Sequence, residues 1–312
     1  MATVNRPRLL VIGGSGFIGH HLIALAKKKK WDVTSLSMNM PVITRSIDGV
    51  DYLLCDINHY QSVTRALTDE FDYVANLGGY IDHKALGSGG RNTFNTHFLG
   101  LLNLVDVLSS KNLKRFVHVG SSDEYGNGDA PQREDQREAP ISAYSFGKTA
   151  GTHLLQTLHR TEQFPAVVLR PFLAYGPRQN LDRFLPQIIL GCIQKREFPV
   201  SSGEQLRDFC YVDDVVQGIM AALTKNDIEG KIFNIASGAP ISIRTVVEMV
   251  TRLAGGGEPV FGSIPYRPGE SMTLYADISQ ARRQLDWQPV VTLEQGLSQT
   301  IAWYRESTYS NG

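Results

Sequence analysis

The sequence predicts an α/β fold: a doubly wound parallel sheet covered by helices on both faces, followed by a smaller C-terminal lobe. Three observations predict it. Short apolar runs of strand length alternate with amphipathic helical stretches up to Arg170, the pattern of strands buried on both faces. A glycine-rich turn, Gly13-Gly14-Ser15-Gly16-Phe17-Ile18-Gly19, joins the first run to the first helical stretch. Beyond Arg170 prolines and glycines become frequent and the elements shorten.

Taken in order, Arg8 to Ile12 predicts a buried strand and Phe17 to Lys29 a helix. The cluster Lys27 to Lys30 suits the negative end of that helix better than it suits a nucleic-acid patch. Asp32 to Leu36 and Val50 to Cys55 predict the next two strands, and Gln61 to Thr68 a helix. Tyr73 to Leu77 predicts a fourth strand. Thr93 to Ser109 has helical periodicity, with Phe94, Phe98, Leu101, Leu102, Val105 and Leu108 on one side. Arg115 to Val119, Ala143 to His159 and Val167 to Arg170 predict strand, helix and strand. In the second part, Thr245 to Leu253 and Leu293 to Tyr304 are the clearest helices.

The bulk numbers narrow the function classes. The 312 residues exceed one typical domain of about 150, so one large or two intimate domains are expected. Apolar residues make up 42% and charged residues 20%, ordinary values for a soluble protein. The formal net charge is zero, so no global field recruits nucleic acid or an anionic membrane. Three distant cysteines, Cys55, Cys192 and Cys210, argue against a disulfide framework or a zinc site and suit a reducing compartment. The run Leu9 to Ile12 is too short for a signal peptide, and no stretch nears the ~18 apolar residues of a membrane span. The expectation is a cytoplasmic protein with no metal, membrane or nucleic-acid partner.

The glycine turn carries the first chemistry. Glycine there lets the chain turn tightly and approach a pyrophosphate closely, while the helix N-terminus offers free N–H groups. Its strand–turn–helix setting predicts a Rossmann dinucleotide site at Gly13, Gly16, Phe17, Ile18 and Gly19. Residues 1–170 are then the cofactor domain, with a return segment near 208–236, and residues 171–312 are mainly a substrate-binding lobe. An acidic residue ending the second strand would bind the ribose 2′-OH of NAD. Here the chain reads Leu36-Ser37-Met38-Asn39, with Arg45 further on. Ser37, Asn39 and Arg45 suit a 2′-phosphate, so NADP(H) is expected over NAD(H), which remains possible. Asp56 is placed to meet the adenine amino group, or to cap the helix that follows.

The second chemistry lies at the fifth strand. Tyr144 and Lys148 are four apart on a predicted helix and share a face. Ser121 and Ser122 follow the fifth strand, at the carboxyl edge where open α/β sheets bind ligands. A neighbouring ammonium should bring the tyrosine toward a working acid–base range, and a serine hydroxyl can hold the reacting oxygen.

Together these residues resemble the extended short-chain dehydrogenase/reductases, the NAD-dependent epimerase/dehydratase family. The matching stretches are Gly13 to Gly19, Asp56-Ile57, SSDEYG (Ser121 to Gly126), YSFGK (Tyr144 to Lys148), RPFLAYGP (Arg170 to Pro177), RDFCYVDDV (Arg207 to Val215) and RPGE (Arg267 to Glu270). The resemblance implies Ser121, Tyr144 and Lys148 as a catalytic triad, with Tyr144 and Lys148 also touching the cofactor. It puts Asp56, Ile57, Leu77, Gly78 and Gly79 beside the dinucleotide. It implies a nucleotide-diphosphate sugar as substrate, its diphosphate gripped by Arg207 and Arg267. The alternative for these arginines is ion pairing with Asp208 or Glu270. Tyr80, Asn180 and Arg183 are further candidates for the sugar nucleotide, and Asp82 and His83 could line its pocket, His83 more simply as a structural residue. A homodimer through the Thr93–Ser109 and Ala143–His159 helices is implied as well.

The chain departs from the family at three places. His97 stands at a usual asparagine, Leu173 at an asparagine that often faces substrate, and Ser37 at the usual aspartate. Three reactions share this scaffold: 4-epimerisation, 4,6-dehydration and 4-ketoreduction. Asp123 occupies the position of the dehydratases' glutamate, one methylene shorter. The stretch VGSSDEYG is most similar to GDP-4-keto-6-deoxy-mannose reductases, so NADPH-dependent reduction of a nucleotide-4-keto-6-deoxyhexose is expected first. Epimerase or dehydratase with tightly bound NAD is the alternative. A dinucleotide sensor without catalysis is disfavoured, because Ser121, Tyr144 and Lys148 are all kept.

Overall fold

The computed structural model describes residues 6–109, 111–266 and 269–309. The first half reads β1 (Arg8–Ile12), α1 (Phe17–Lys28), β2 (Asp32–Ser37), β3 (Asp51–Leu54), α2 (Tyr60–Ala66), β4 (Tyr73–Asn76), α3 (Gly90–Ser109), β5 (Arg115–Val119), α4 (Ala143–Glu162) and β6 (Ala166–Pro171). It continues with β7 (Leu173–Tyr175), α5 (Phe184–Ile193), β8 (Glu197–Val200), β9 (Leu206–Arg207), β10 (Phe209–Tyr211), α6 (Val212–Thr224) and β11 (Ile232–Ile235). The chain ends with β12 (Ile241–Ser242), α7 (Ile243–Ala254), β13 (Glu258–Phe261), β14 (Thr273–Leu274) and α8 (Leu293–Tyr309).

One seven-stranded sheet runs β11-β6-β5-β4-β1-β2-β3, with every pairing parallel. The order reverses between β1 and β4, so their carboxyl ends open a crevice where open α/β sheets take ligands. One face is covered by α1 and α6 through Leu22, Ile23, Val215, Ile219 and Leu223. The other is covered by α2, α3 and α4 through Val63, Leu101, Leu104, Leu108 and Leu155. Each such fully buried side chain contributes about 1.5–3 kcal/mol of transfer free energy. A separate core beyond β6 joins α5, α7 and α8 through Ile189, Val246, Val250, Leu297 and Ile301. Short sheets, β12-β9-β14 and β13-β8, edge this lobe. Among the described residues no helix is long and apolar enough to cross a membrane.

Two differences from the sequence reading have physical causes. Helix α3 starts at Gly90 rather than Thr93, after Gly89 turns the chain at φ +109°. Its apolar residues also divide between two faces. Leu101, Leu104, Val105 and Leu108 are buried on the sheet. Phe94 instead stacks on Phe98 and on Phe146 of α4, with ring centroids 5.6 and 5.3 Å apart. Two glycines of α4 let α3 approach: a Cβ on Gly147 would sit 3.0 Å from the His97 Cβ, and one on Gly151 2.9 Å from Leu101.

Candidate active site

The glycine turn closes the carboxyl end of β1. Gly13 adopts φ +80°, a region costly for other residues. A Cβ there would lie 2.7 Å from the carbonyl oxygen of Leu77, and one on Gly19 would lie 2.3 Å from that of Gly13. Gly16 caps α1 with no side chain over the free N–H groups, and Phe17 and Ile18 begin the helix. Leu77, Gly78 and Gly79 leave β4 beside this turn, with the Gly78 N–H donating to Asn76 Oδ1 at 3.0 Å. Ile57 is buried, and Asp56 Oδ1 accepts from the backbone and side-chain nitrogens of Asn58, each at 3.0 Å.

Around the end of β2 the polar groups serve one another. The Ser15 N–H donates to Ser37 Oγ at 3.2 Å, and Asn39 is exposed. The Arg45 guanidinium donates to the carbonyl oxygens of Ser15, at 3.3 Å, and Arg178, and to Asn180 Oδ1 at 2.9 Å. Asn180, expected at the sugar nucleotide, is therefore held by Arg45, which also reaches the glycine turn. Residues exposing backbone N–H groups, glycine at the close approaches and uncompensated cations make this crevice fit for a dinucleotide's pyrophosphate.

The catalytic candidates assemble where β5 ends. Ser121 caps a single turn of 3₁₀ helix, its Oγ accepting from the Asp123 N–H at 3.1 Å while its own N–H donates to Glu124 Oε1 at 2.9 Å. Ser121 is the neighbour that favours ionisation of the Tyr144 hydroxyl. Lys148, one turn along α4, donates to the carbonyl oxygen of Val119 at 2.7 Å. Burial pushes Lys148 down to about 8, opposed by Glu124. Burial pushes Tyr144 up, and the Asp123 carboxylate adds to that, outweighing the opposite influence of Ser121. The sequence reading had Lys148 lowering the tyrosine; here the ammonium is directed at the β5 backbone, and burial dominates.

Asp123 is partly buried, and burial raises its carboxyl above the usual range, opposed by His83, Arg183 and Arg207. His83 lies 3.8 Å from Asp123 and edge-on to the Tyr144 ring at 5.6 Å. His97 packs edge-on to the same ring at 4.9 Å. Its Nε2 meets the Tyr80 carbonyl at 2.8 Å, so that nitrogen carries the proton, and Nδ1 has no partner among the described residues. Burial and the Lys148 charge hold His97 down to about 3, a neutral imidazole. Tyr80 itself is 47% exposed. Arg207 is buried and pairs with Glu270, the alternative that the sequence left open, while Asp208 is taken up by Ser237, Gly238 and Ala276. Arg267 lies outside the described residues. Among those described, no cluster of His, Cys, Asp or Glu could hold a metal ion, and the three cysteines are free and buried.

The sequence reading missed what holds Ser121. Glu124 Oε2 accepts from Thr152 Oγ1 at 2.8 Å and from Arg170 Nε at 3.0 Å. Arg170 also binds Glu138 at 2.6 Å and lies 4.6 Å over the Tyr125 ring. The signal was present, since Glu124 and Arg170 both sit inside matched motifs.

Known proteins fit this geometry. The family model for the NAD dependent epimerase/dehydratase family matches residues 9–236. A Bacillus subtilis (strain 168) protein named as an uncharacterized UDP-glucose epimerase, YtcB, is 29% identical over 97% of this chain and 99% of its own. The dTDP-glucose 4,6-dehydratase of Haemophilus influenzae is 27% identical over 95% of this chain and 97% of its own. Among solved structures, UDP-glucuronic acid 4-epimerase from Bacillus cereus, in complex with UDP-glucuronic acid and NAD, superposes with a TM-score of 0.87 at 27% identity, covering 96% of this chain and 99% of the other. These similarities run the length of a glycine turn, a strand-end serine and a tyrosine–lysine helix already seen to converge, and the chain belongs to the NAD dependent epimerase/dehydratase family, as an enzyme of the extended short-chain dehydrogenase/reductase type.

Proposed function

We propose that the protein is a nucleotide-sugar 4-epimerase that works with retained NAD. The observation that carries this reading is Ser121 acting on the Tyr144 hydroxyl, with Lys148 one turn away on the same helix. Bound NAD would supply the hydride-accepting ring. For the rest, the sugar C4 hydroxyl would rest between Ser121 and Tyr144, and Tyr144 would take its proton as hydride leaves C4. Tyr144 would give the proton back once the sugar carbonyl has turned its other face to the ring, so nothing would be consumed. Lys148 would anchor the cofactor ribose, and Arg183 and Arg207, beside Asp123, would supply charge for the diphosphate, Arg207 exchanging Glu270 for it.

The relatives favour this alternative over the ketoreductase that VGSSDEYG suggested, because those named are epimerases and dehydratases. They favour NAD also, since the B. cereus relative holds it. One observation supports 4,6-dehydration as a second reading: the Asp123 carboxyl, raised by burial, could act on a leaving hydroxyl. The test is incubation with UDP-glucose, UDP-glucuronate and dTDP-glucose without added cofactor, read by NMR. A 4-epimer is expected. A 4-keto-6-deoxy product would favour the dehydratase, and turnover only of 4-keto-6-deoxy sugars with NADPH would restore the reductase. We read the outer α3–α4 face, with Phe94, Phe98 and Phe146, as a homodimer contact; a monomer by light scattering would refute it.

A further inference from the structure

We propose that Arg45 and Arg178 form a clasp that locks the dinucleotide into the protein. This rests on the dinucleotide reading above and adds which residues retain the cofactor. The two arginines come from opposite halves of the chain. Arg45 ends a short 3₁₀ turn between β2 and β3, and Arg178 follows β7 at φ +66°. Each guanidinium donates to the other's loop: Arg45 to the Arg178 carbonyl and to Asn180, Arg178 to the Thr44 carbonyl. Arg45 also reaches down to the Ser15 carbonyl, inside the glycine turn. The crossing therefore lies on the segment where a pyrophosphate would be received.

Both loops are braced from below. Consecutive histidines of α1 hold one each, His20 Nδ1 on the Arg45 carbonyl at 2.9 Å and His21 Nε2 on the Pro177 carbonyl at 3.0 Å. The Tyr304 hydroxyl donates to the Gln179 carbonyl at 2.6 Å, and Arg178 lies 5.7 Å over the Trp303 ring. The charges point to an anion. Neither guanidinium has a carboxylate partner within 4 Å among the described residues, and each faces the other's positive charge; burial, and then Arg178, lower Arg45. Two adjacent cations held on neutral carbonyls would be relieved by a pyrophosphate beneath them. A dinucleotide could then leave only after the interlocked bonds break.

The test measures cofactor release by the full-length protein. Wild type is loaded with NAD, passed through gel filtration and followed as NAD is displaced by excess labelled NAD. Wild type is expected to keep its NAD through the column. Arg45→Ala and Arg178→Ala should each release it about 10- to 100-fold faster, the loss of one or two charge-assisted hydrogen bonds. Arg45→Lys should also release it faster, because an ammonium cannot span three acceptors. As a measurement independent of any variant, NAD should slow hydrogen exchange at residues 42–46 and 176–180 of wild type. Unchanged release from both alanine variants, or unaltered exchange in both loops, overturns the clasp. So does an effect confined to NADP, which would make Arg45 a 2′-phosphate contact. If wild type binds neither dinucleotide, the cofactor reading itself has failed.

Discussion

Two buried cations lie on either side of Glu124 and meet opposite fates. Arg170 is fully buried, yet its guanidinium is bound by Glu124 and Glu138 and stacked on Tyr125, and Glu124 foremost holds it charged against the cost of burial. Lys148 is buried as well, but its hydrogen bond goes to a backbone carbonyl, and burial brings it down to about 8. Anionic partners fix a buried charge as scaffold. A buried charge left on neutral partners becomes titratable near the working pH, which is what proton chemistry needs. Glu124 joins the two, because the carboxylate that binds Arg170 also takes the Ser121 N–H.

The largest effect should come from the reactive side. Tyr144→Phe removes one hydroxyl and leaves the ring against His97 and His83. Positioned proton transfer is worth about 10²–10⁴-fold in rate, so turnover should fall by such a factor while NAD content stays near wild type. Loss of both together would mark Tyr144 as structural and erase the contrast with Arg170.

On the scaffold side, Arg170→Met should cost about 3–5 kcal/mol of unfolding free energy by urea titration, since Glu124 and Glu138 lose their cation. Glu124→Gln on top of Arg170→Met should recover part of it. Activity should fall in the single variant too, because Ser121 hangs on Glu124. A fully active Arg170→Met protein would mean that the two clusters are independent.

Why the reactive side was legible in the sequence and the scaffold was not follows from spacing. Tyr144 and Lys148 are one helical turn apart, and Ser121 follows a strand that periodicity finds residue for residue, Arg115–Val119. Gly19 is dictated by a contact within its own turn, and Gly13 by its positive φ as well as by Leu77 at the end of the neighbouring strand. Arg170 and Glu124 are 46 residues apart, and Arg178 and Thr44 are 134 apart. No local pattern encodes such pairs; only the sheet order brings them together.

Titration sharpens the comparison further. The folded value of Lys148, about 8, lies below its ordinary 10.5. Between those values the folded chain has released a proton that the unfolded chain keeps, so folding becomes more favourable as pH rises. Relative to Lys148→Met, wild type should gain stability from about pH 8 to 10.5, with a slope approaching 1.4 kcal/mol per pH unit. The corresponding difference for Arg170→Met should stay flat, because its guanidinium keeps its proton throughout. Urea unfolding of the three proteins at several pH values checks both. A flat Lys148 curve would mean that the ammonium is better compensated than its contacts suggest.

The smallest effect is expected at Asp123, and it decides which reaction the site performs. Its carboxyl is raised by burial, so ionisation opposes folding; that penalty sets in as pH rises through the ordinary carboxylate value and is complete above the folded value. Asp123→Asn keeps the shape and removes the charge; at neutral pH the variant should be at least as stable as wild type. It should also remove one of the three influences that push Tyr144 up, burial, Asp123 and Glu124, and so favour the phenolate that accepts the proton. For a 4-epimerase no hydroxyl leaves the sugar, so turnover should change less than about tenfold, well below the effect at Tyr144. For a 4,6-dehydratase the leaving hydroxyl would lose its carboxyl, and Asp123→Asn should cost nearly as much as Tyr144→Phe. The measurement is the rate of 4-epimer and of 4-keto-6-deoxy product from the same UDP- and dTDP-hexoses, for wild type and both variants. A large loss of 4-keto-6-deoxy product in Asp123→Asn would replace the epimerase by the dehydratase and move Asp123 beside Tyr144 and Lys148 on the reactive side of the comparison.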